Sequence, residues 1–463
     1  MLLASIICYL LLTIIIGYWA SRRVKSSGDY MLAGRSLPLA LSSAALFATW
    51  FGSETVFGAS SEFLKGGLFA VIEDPFGAAL CLVLFGAFFA RKLYSMNLLT
   101  LGDFFKIRFG RRTEFVASIC LAPPYAGYIA AQLVAMGLIL KSVAGIPIWQ
   151  GIVISASIVT FYTYIGGMWA ISITDFVQGV IIVLGLAVLA VVLANEAGGA
   201  GVILAEVPPN TFKFLPKFGF KEWVTYLAAW SVLGLGSIPS QDVFQRVMSS
   251  GSIKTAVRSC YIAGIMYLTI AMLPLFISLC TKHLHPELAE GNEQLALPNM
   301  VLAYTSLPIQ VLFFGSLLSA IMSTTSSAIL APASILSENL IRPMAGHKLT
   351  DKQFLVITRI CVLVFAVIGT VMASMRKNIY ELVGESSILS LVSLFAPLTL
   401  GLYWKRATSE GAILSMALGI ASWIVFEWYI DWDFPSLVPA TTISILALIA
   451  GSLLWPKPSQ VHE

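Results

Sequence analysis

The chain has 463 residues, of which 58% are hydrophobic and only 11% are charged, and its formal net charge is +4. In soluble domains about a quarter of the residues are charged, so this composition excludes a soluble protein of this size. The apolar residues extend over the whole length, which predicts an all-α polytopic protein of the lipid bilayer. Nothing in the charge or composition indicates a nucleic-acid partner or an obligatory protein partner.

Thirteen apolar runs predict transmembrane helices, because about 20 apolar residues cross the hydrocarbon core of a bilayer. The run 300–341 is too long for one span, so we expect it to include a short interfacial helix. With soft edges, the runs are 2–20, 38–62, 70–90, 114–142, 148–165, 169–194, 221–247, 255–281, 300–341, 353–375, 380–404, 409–430 and 436–455.

The loops between these runs indicate the orientation. Alternate loops on one side carry 20 Lys and Arg residues, Arg246 among them, and the loops on the other side carry 8. Cytoplasmic loops are enriched in Lys and Arg. We therefore expect a multi-pass protein of the inner or plasma membrane, with the N-terminus outside and the C-terminus in the cytoplasm.

Two of the predicted spans are interrupted near their centres. "FATWFGSETVFG" places Gly52 and Glu54 inside the second span, and "GLGSIPSQD" places Gly236 and Pro239 inside the seventh. Two harmless kinks are the alternative, since membrane helices tolerate Gly and Pro. The two spans run in opposite directions and start five helices apart, which favours an inverted five-plus-five repeat whose halves each open with a discontinuous helix.

That repeat divides a single transmembrane transporter domain, 1–463, into four parts. They are an extra N-terminal helix and loop (1–37), a first repeat (38–194), a second repeat (221–404), and two C-terminal helices with a tail (405–463).

The sixth span contains an isolated acid, Asp175. An ionised side chain in hydrocarbon costs several kcal/mol unless it is paired, so an intramembrane acid is a functional-site hypothesis. No Lys or Arg inside the predicted spans is evident as its partner. The alternative is a protonated carboxyl group that hydrogen-bonds to a neighbouring helix.

The ninth span carries hydroxyl groups on one helical face, because Ala320, Ser323, Thr324 and Ser327 follow the spacing i, i+3, i+4 and i+7, with Ser326 beside them. A small-residue face for helix packing would show the same spacing. Hydroxyl and carboxylate oxygens suit a small hard cation. Together with the acid of the sixth span, they predict an ion site within the membrane.

Four segments of the chain carry a resemblance to a known family: "YMLAGRSLP", "YTYIGGMWAISITDFVQG", "SQDVFQRVMSS" and "SAIMSTTSSAIL". Over nearly its whole length the chain resembles the sodium:solute symporter family, especially its choline- and proline-related branches. The resemblance implies a leucine-transporter-like fold with one extra N-terminal and two extra C-terminal helices. It also implies a symporter, not an enzyme, that imports a small organic solute with Na⁺ by alternating access.

The resemblance also implies ligands for the coupling ion, expected as one or two Na⁺ per cycle. The main Na⁺ site would use backbone carbonyls of Ala48, Phe51 and Ala320 and the hydroxyls of Ser323 and Thr324. A second Na⁺ site, present in some members, would use Asp175, Ser323, Ser326 and Ser327. H⁺ or Li⁺ as the coupling ion stays open, since an acid can carry a proton.

The solute is expected between the two breaks. The candidate solute-binding residues are Trp50, Ser53, Glu54, Asp74, Tyr125, Tyr128, Gln132, Trp230, Ser237, Ser240 and Gln241. Glu54 could pair with a substrate ammonium, and aromatic rings could hold a quaternary amine. Choline carriers have a tryptophan where this chain has Ser240, which argues against choline itself. An amine or amino-acid-like solute is favoured over a sugar or a carboxylate. The alternative to transport is a membrane sensor with the same fold.

Overall fold

The computed structural model describes residues 2–289, 293–345, 349–375, 378–430 and 433–456. Within these ranges the protein is helical, and its only extended pairing is an isolated parallel bridge between Leu37 and Ser250. The all-α prediction is therefore confirmed for the part of the chain that the structure describes.

The helices follow one another along the chain with short connections. The first group is α1 (Leu2–Ser21), α2 (Ser27–Leu32), α3 (Leu39–Phe47), α4 (Ser60–Gly66), α5 (Ala78–Leu84), α6 (Ala90–Ser95), α7 (Leu101–Phe109), α8 (Arg111–Leu121) and α9 (Pro124–Ala144). The second group is α10 (Ile148–Glu196), α11 (Ala200–Glu206), α12 (Phe220–Gly234), α13 (Gln241–Met248), α14 (Ile253–Ile270), α15 (Met272–Leu284) and α16 (Ala296–Tyr304). The last group is α17 (Leu307–Ile335), α18 (Arg342–Met344), α19 (Asp351–Met375), α20 (Ile379–Ser390), α21 (Ala396–Tyr403), α22 (Ser409–Trp428) and α23 (Leu437–Leu454).

Among the described residues, 10 helical stretches are long and apolar enough to cross a membrane. α10 has 49 residues, so as a straight helix it would measure about 74 Å, more than twice the hydrocarbon core. Gly167 interrupts it with φ 51° and ψ −152°, in the gap between the predicted fifth and sixth spans. α3, α12 and α13 are each too short to be among the 10. The count of thirteen spans therefore stays a prediction.

The second predicted span is discontinuous in the structure. α3 ends at Phe47, residues 48–52 form turns, and helical structure resumes with the π-helical segment Glu54–Ala59 before α4. Turn backbone frees carbonyl and amide groups from the helical ladder, and membrane proteins tolerate this only where protein or a cavity surrounds it. The predicted break at Gly52 is confirmed.

The seventh predicted span is discontinuous as well. α12 ends at Gly234, residues 235–240 are not helical, and α13 begins at Gln241. Gly236 in this break lies directly against the backbone of α20. A Cβ atom at this position would lie only 2.5 Å from the Ser387 carbonyl oxygen. The glycine is therefore required for the close approach of the two elements.

The long run at 300–341 is divided as expected. The short helix α16 (Ala296–Tyr304) precedes α17 (Leu307–Ile335), which packs along α9 and α10. Every residue of α17 from Phe313 onward is buried, although many are serines and threonines. Most of these hydroxyls donate to a carbonyl one turn earlier, as Thr325 does to Ile321 (2.5 Å). Such local bonds satisfy polar groups inside the protein.

The outer helices present apolar side chains on the surface. α1 exposes Leu11, Leu12 and Ile15, and α19 exposes Val367 and Val371. Contiguous apolar surface is unfavourable in water but matches the acyl chains of a bilayer. This surface therefore supports the membrane assignment made from composition.

We expect Gly167→Ala to lower the stability of the protein by about 1–3 kcal/mol, because a positive φ is strained for a residue with a side chain. A Cβ at Gly167 would also meet the Tyr30 carbonyl oxygen at 2.5 Å. The measurement is the thermal unfolding midpoint of the purified protein in detergent. Gly179→Ala in the same helix is the control, since its Cβ would meet nothing within 4 Å. A midpoint for Gly167→Ala at or above that of the control would contradict the strained bend.

Candidate solute and cation site

A small cavity lies between the two helix breaks. Its lining comes from both broken spans, from the π-helical segment Ile72–Gly77, from α9 and from α20. The lining residues are Trp50, Glu54, Asp74, Pro124, Tyr125, Tyr128, Leu233, Ser237, Ser240, Asp242, Val383, Ser386, Ser387 and Ser390.

Glu54, at the start of the π-helical segment after the first break, is held by donors from α9. The Tyr128 hydroxyl donates to Oε1 (2.9 Å), and the Gln132 side-chain amide donates to Oε2 (2.7 Å). The other end of Gln132 accepts from the Ser53 backbone N–H (3.1 Å). Because Glu54 is 2% exposed, these donors replace the water that a carboxylate would otherwise need. Gln132 and Ser53 thus position the acid, and they lie behind the cavity wall.

Asp74 is held from the opposite side by α14. The Tyr267 hydroxyl donates to Asp74 Oδ1 (2.7 Å) and also lies 2.6 Å from the Thr55 hydroxyl. Tyr267 Oη is 3.2 Å from the Trp50 carbonyl oxygen. A single tyrosine therefore connects the acid with the turn segment of the second span.

A third acid of the cavity, Asp242, is not among the residues predicted from the sequence. It lies in the first turn of α13, where its Oδ1 accepts from the Tyr125 hydroxyl and from the Val243 N–H, both at 2.9 Å. The sequence signal was present, because "SQD" directly follows the second break. The serines of α20 were also missed, although "GESSILS" places Ser386 and Ser390 one turn apart.

Seven of the eleven predicted solute residues line the cavity, and four do not. Ser53 and Gln132 lie behind Glu54. Trp230 is half-buried in an aromatic cluster with Phe76 and Phe214. The side-chain oxygen of Gln241 accepts from the Leu101 N–H (2.7 Å) at the start of α7. The seven lining residues are Trp50, Glu54, Asp74, Tyr125, Tyr128, Ser237 and Ser240.

Part of the predicted main Na⁺ set comes together between the first break and α17. The Thr324 hydroxyl oxygen lies 3.1 Å from the carbonyl oxygen of Ala48 and 3.1 Å from that of Ala320. Phe51 belongs to the same turn segment, and its ring packs on Phe47 with 4.8 Å between centroids. Neutral oxygens from two helices, one of them unwound, fit the ligand preference of a small hard cation.

Ser323 is oriented away from this set and toward α10. Its hydroxyl donates to Asp175 Oδ1, while the other carboxylate oxygen, Oδ2, lies 3.2 Å from Arg246 Nη2. Both charged side chains are fully buried, and the guanidinium also contacts the Ser327 hydroxyl. Ser326 donates to the Ser323 carbonyl within α17 (2.8 Å). Asp175 and Ser327 therefore contact Nη2 of the guanidinium group, while its Nε and Nη1 are buried without a hydrogen-bond partner among the described residues.

This arrangement corrects the expectation that no basic residue inside the membrane meets Asp175. From the sequence, Arg246 is counted among the basic residues of the cytoplasmic loops. It belongs instead to α13, all eight residues of which are buried. A buried acid is stabilised by a buried base when hydrogen bonds complete the pair.

Comparison with known proteins places this chain among membrane transporters. The sequence profile described as "Sodium:solute symporter family" matches residues 30–419. "High-affinity choline transporter 1" of Caenorhabditis elegans is 29% identical over 448 residues, which cover 90% of this chain and 76% of that protein. "High-affinity proline transporter PutP" of Bacillus subtilis (strain 168) is 28% identical over 480 residues, covering 96% of this chain and 97% of that protein.

Solved structures share the fold. A Na⁺-coupled sialic acid symporter in a substrate-bound, outward-open state superposes with a TM-score of 0.86 at 20% identity, covering 98% of each chain. MHP1, a transporter of the nucleobase-cation-symport-1 family, superposes with a TM-score of 0.64 at 18% identity, covering 94% of this chain and 97% of the other. At these identities the likeness concerns the backbone architecture.

We expect Arg246→Met to lower the free energy of unfolding by about 3–5 kcal/mol, because it leaves Asp175 charged and unpaired in the protein interior. Adding Asp175→Asn to the same protein should restore most of the loss. The measurement is a double-mutant cycle on thermal unfolding in detergent without Na⁺.

The exposed ion pair Lys221–Asp433, 3.0 Å long, supplies the control for this cycle. Lys221→Gln should lower the free energy of unfolding by less than about 1 kcal/mol, because solvent screens exposed charges. Additive losses for Arg246→Met and Asp175→Asn would show that the two groups do not stabilise each other.

Proposed function

Because the chain belongs to the sodium:solute symporter family, we propose that it imports a small organic solute together with Na⁺ by alternating access. The observation that carries this proposal is the position of the Thr324 hydroxyl, 3.1 Å from carbonyl oxygens on both the broken second span and α17. A cation bound by oxygens of both elements would connect the broken span with α17 beside the cavity. Cotransport needs such a connection between ion binding and the solute site.

Family membership confirms the predicted class, which is a multi-pass membrane transporter and not an enzyme. The choline and proline relatives are transporters of small solutes, and the family supports coupling to Na⁺. The number of ions, the solute and the orientation in the membrane are parts of the proposal.

The proposed main Na⁺ site combines the carbonyl oxygens of Ala48, Phe51 and Ala320 with the hydroxyls of Ser323 and Thr324. Three of these oxygens already lie together, on Ala48, Ala320 and Thr324. Ser323 would need to turn from Asp175 toward the ion, which requires a rotation about a single side-chain bond.

Na⁺ at this position would favour one conformation over the other. It would join the turn segment 48–52 to α17, and a ligand shifts a two-state equilibrium only by its differential affinity for the states. Inward movement of each charge releases about 2.3 kcal/mol per 100 mV, in addition to the Na⁺ concentration gradient. Binding of Na⁺ would therefore prepare the cavity for solute from outside, and release would follow inside.

The architecture that we propose has thirteen spans in a five-plus-five inverted repeat, with the N-terminus outside and the C-terminus in the cytoplasm. Two discontinuous helices in the second and seventh spans support it, as does the excess of Lys and Arg in alternate loops. The solute that we propose is an amine or an amino-acid-like compound. A sugar or a carboxylate is the rival solute, and a sensor is the rival role.

The test of symport is uptake into proteoliposomes that contain the full chain. Labelled choline, proline, glucose and sialic acid are offered with an inward Na⁺ gradient, with equal Na⁺ on both sides, or with K⁺ replacing Na⁺. We expect at least one solute to accumulate above its external concentration only with the gradient. Na⁺-dependent binding without uptake would favour a sensor, and uptake that follows a H⁺ gradient alone would contradict Na⁺ coupling.

We expect Thr324→Val to raise the Na⁺ concentration for half-maximal uptake about 10-fold, because one oxygen ligand of the cation is lost without a change of shape. The matched control is Thr325→Val on the next position of α17, where the hydroxyl bonds only within its own helix (2.5 Å to Ile321). Equal shifts in the two variants would contradict the proposed site.

The proposed second Na⁺ site around Asp175, Ser323, Ser326 and Ser327 predicts a steeper dependence on Na⁺. We expect a Hill coefficient above 1 for Na⁺ in uptake by the natural protein, and a value near 1 for Asp175→Asn. If Asp175 serves only to balance Arg246, the Hill coefficient will stay unchanged in Asp175→Asn and in the double variant with Arg246→Met.

A further inference from the structure

Three buried acids surround the cavity, and its lining contains no Lys, Arg or His. Glu54, Asp74 and Asp242 are each at most 2% exposed. Arg246 lies one turn further along α13, and it forms its ion pair with Asp175. Several negative groups in a low dielectric repel one another unless cations or protons balance them. The cavity is therefore an environment for positive charge.

The three acids differ in how far protein donors satisfy them. Glu54 has a donor on each oxygen, from Tyr128 and Gln132. Asp242 accepts from the Tyr125 hydroxyl and the Val243 N–H, both on its Oδ1. Asp74 accepts from Tyr267 on Oδ1, and its Oδ2 is the one oxygen of these three carboxylates that is fully buried with no hydrogen-bond partner among the described residues. A buried, unpaired carboxylate oxygen is costly, so it indicates a group that the protein itself does not supply.

The residues around Asp74 also suit a cation. Trp50, Tyr125 and Tyr128 line the same cavity, and aromatic rings attract ammonium groups through their negative faces. Oδ1 is fixed by Tyr267, so the orientation of the carboxylate, and with it the direction of Oδ2, is set before a solute binds. Preorganised partners of this kind reduce the cost of binding.

A carboxylate on the solute would meet no cationic side chain among the lining residues. Ala48, Ala320, Ser323 and Thr324 do not line the cavity, so a Na⁺ ion among them would not contact a solute within it. An amino acid would therefore bring its negative end among three carboxylates. A sugar hydroxyl could donate to Asp74 Oδ2 but would leave the negative charge unbalanced.

From these observations, and resting on the proposed function, we propose that the solute is an organic cation without a carboxylate, and that Asp74 is its counter-ion. This assignment replaces Glu54 as the partner of the ammonium group. Tyr267 is a positioning residue, since it acts on the solute through Asp74.

The test is binding of matched pairs of solutes to the purified full chain in detergent with Na⁺, measured as stabilisation against heat. Choline is compared with glycine betaine, and ethanolamine with glycine, so that each pair differs in the carboxylate. Tetramethylammonium and glucose complete the set. At least one cation should stabilise the protein at a concentration about 10-fold or more below that of its carboxylate counterpart.

Asp74→Asn should weaken binding of that cation by about 10- to 100-fold, because a charge-assisted contact is lost. Tyr267→Phe should weaken it less, and Asp74→Glu should retain part of the affinity. The matched control is Glu62→Gln on α4, which removes one negative charge from a partly exposed pair with Lys65 (3.0 Å) outside the cavity lining and should leave the affinity unchanged.

Stabilisation by Na⁺ alone, measured on every variant, reports folding and the proposed sodium site independently of the solute. The inference is overturned if no cation stabilises the protein, if a zwitterion or glucose binds more tightly than the cations, or if Asp74→Asn retains affinity within about 3-fold. In each of these cases an intact Na⁺ response leaves the proposed symport standing, whereas loss of Na⁺-driven uptake in the natural protein would refute symport itself.

Discussion

Unwinding of residues 48–52 exposes backbone oxygens in the interior of a bilayer protein, where water does not replace the lost helical bonds. Each such group must find a partner, because an unsatisfied polar group in hydrocarbon costs several kcal/mol. The Ala48 carbonyl oxygen lies 3.1 Å from the Thr324 hydroxyl of α17, and the Trp50 carbonyl accepts from the Gly52 N–H (2.7 Å) with the Tyr267 hydroxyl of α14 at 3.2 Å. The break therefore determines which helices must surround it, and it places the cation ligands and the solute cavity side by side.

Charge is distributed around the break in two separate groups. On one side, Asp175 and Arg246 form an ion pair that Ser323 and Ser327 of α17 contact. On the other side, Glu54, Asp74 and Asp242 face the cavity with neutral donors. The first group is balanced by the protein, and the second is left for ligands to balance. This difference explains why acids of the same type and similar burial are assigned different roles.

The sequence was sufficient for the features that depend on composition and local spacing. Gly and Pro within apolar runs indicated both breaks, and a helical spacing of small hydroxyl residues identified α17. The family resemblance, confirmed by the match over residues 30–419, then supplied the class of transporter.

Arg246 and Asp242 were misplaced or missed for a common reason. They lie on an eight-residue helix that is buried on all sides, which is too short to show a periodic pattern, and charged residues at the end of an apolar run look like a loop. The roles of Gln132 and Tyr267 depend on which helices are neighbours in space, and local sequence contains no record of that.

α13 extends from the solute cavity to the buried ion pair. Asp242 in its first turn faces the cavity, and Arg246, one turn later on the same rigid rod, holds Asp175 of α10. Residues four apart on a helix keep a fixed separation of about 6 Å. A tilt of this short helix as the cavity fills or empties would change the distance between Arg246 and Asp175. The ion pair therefore couples the occupancy of the cavity to the position of α10.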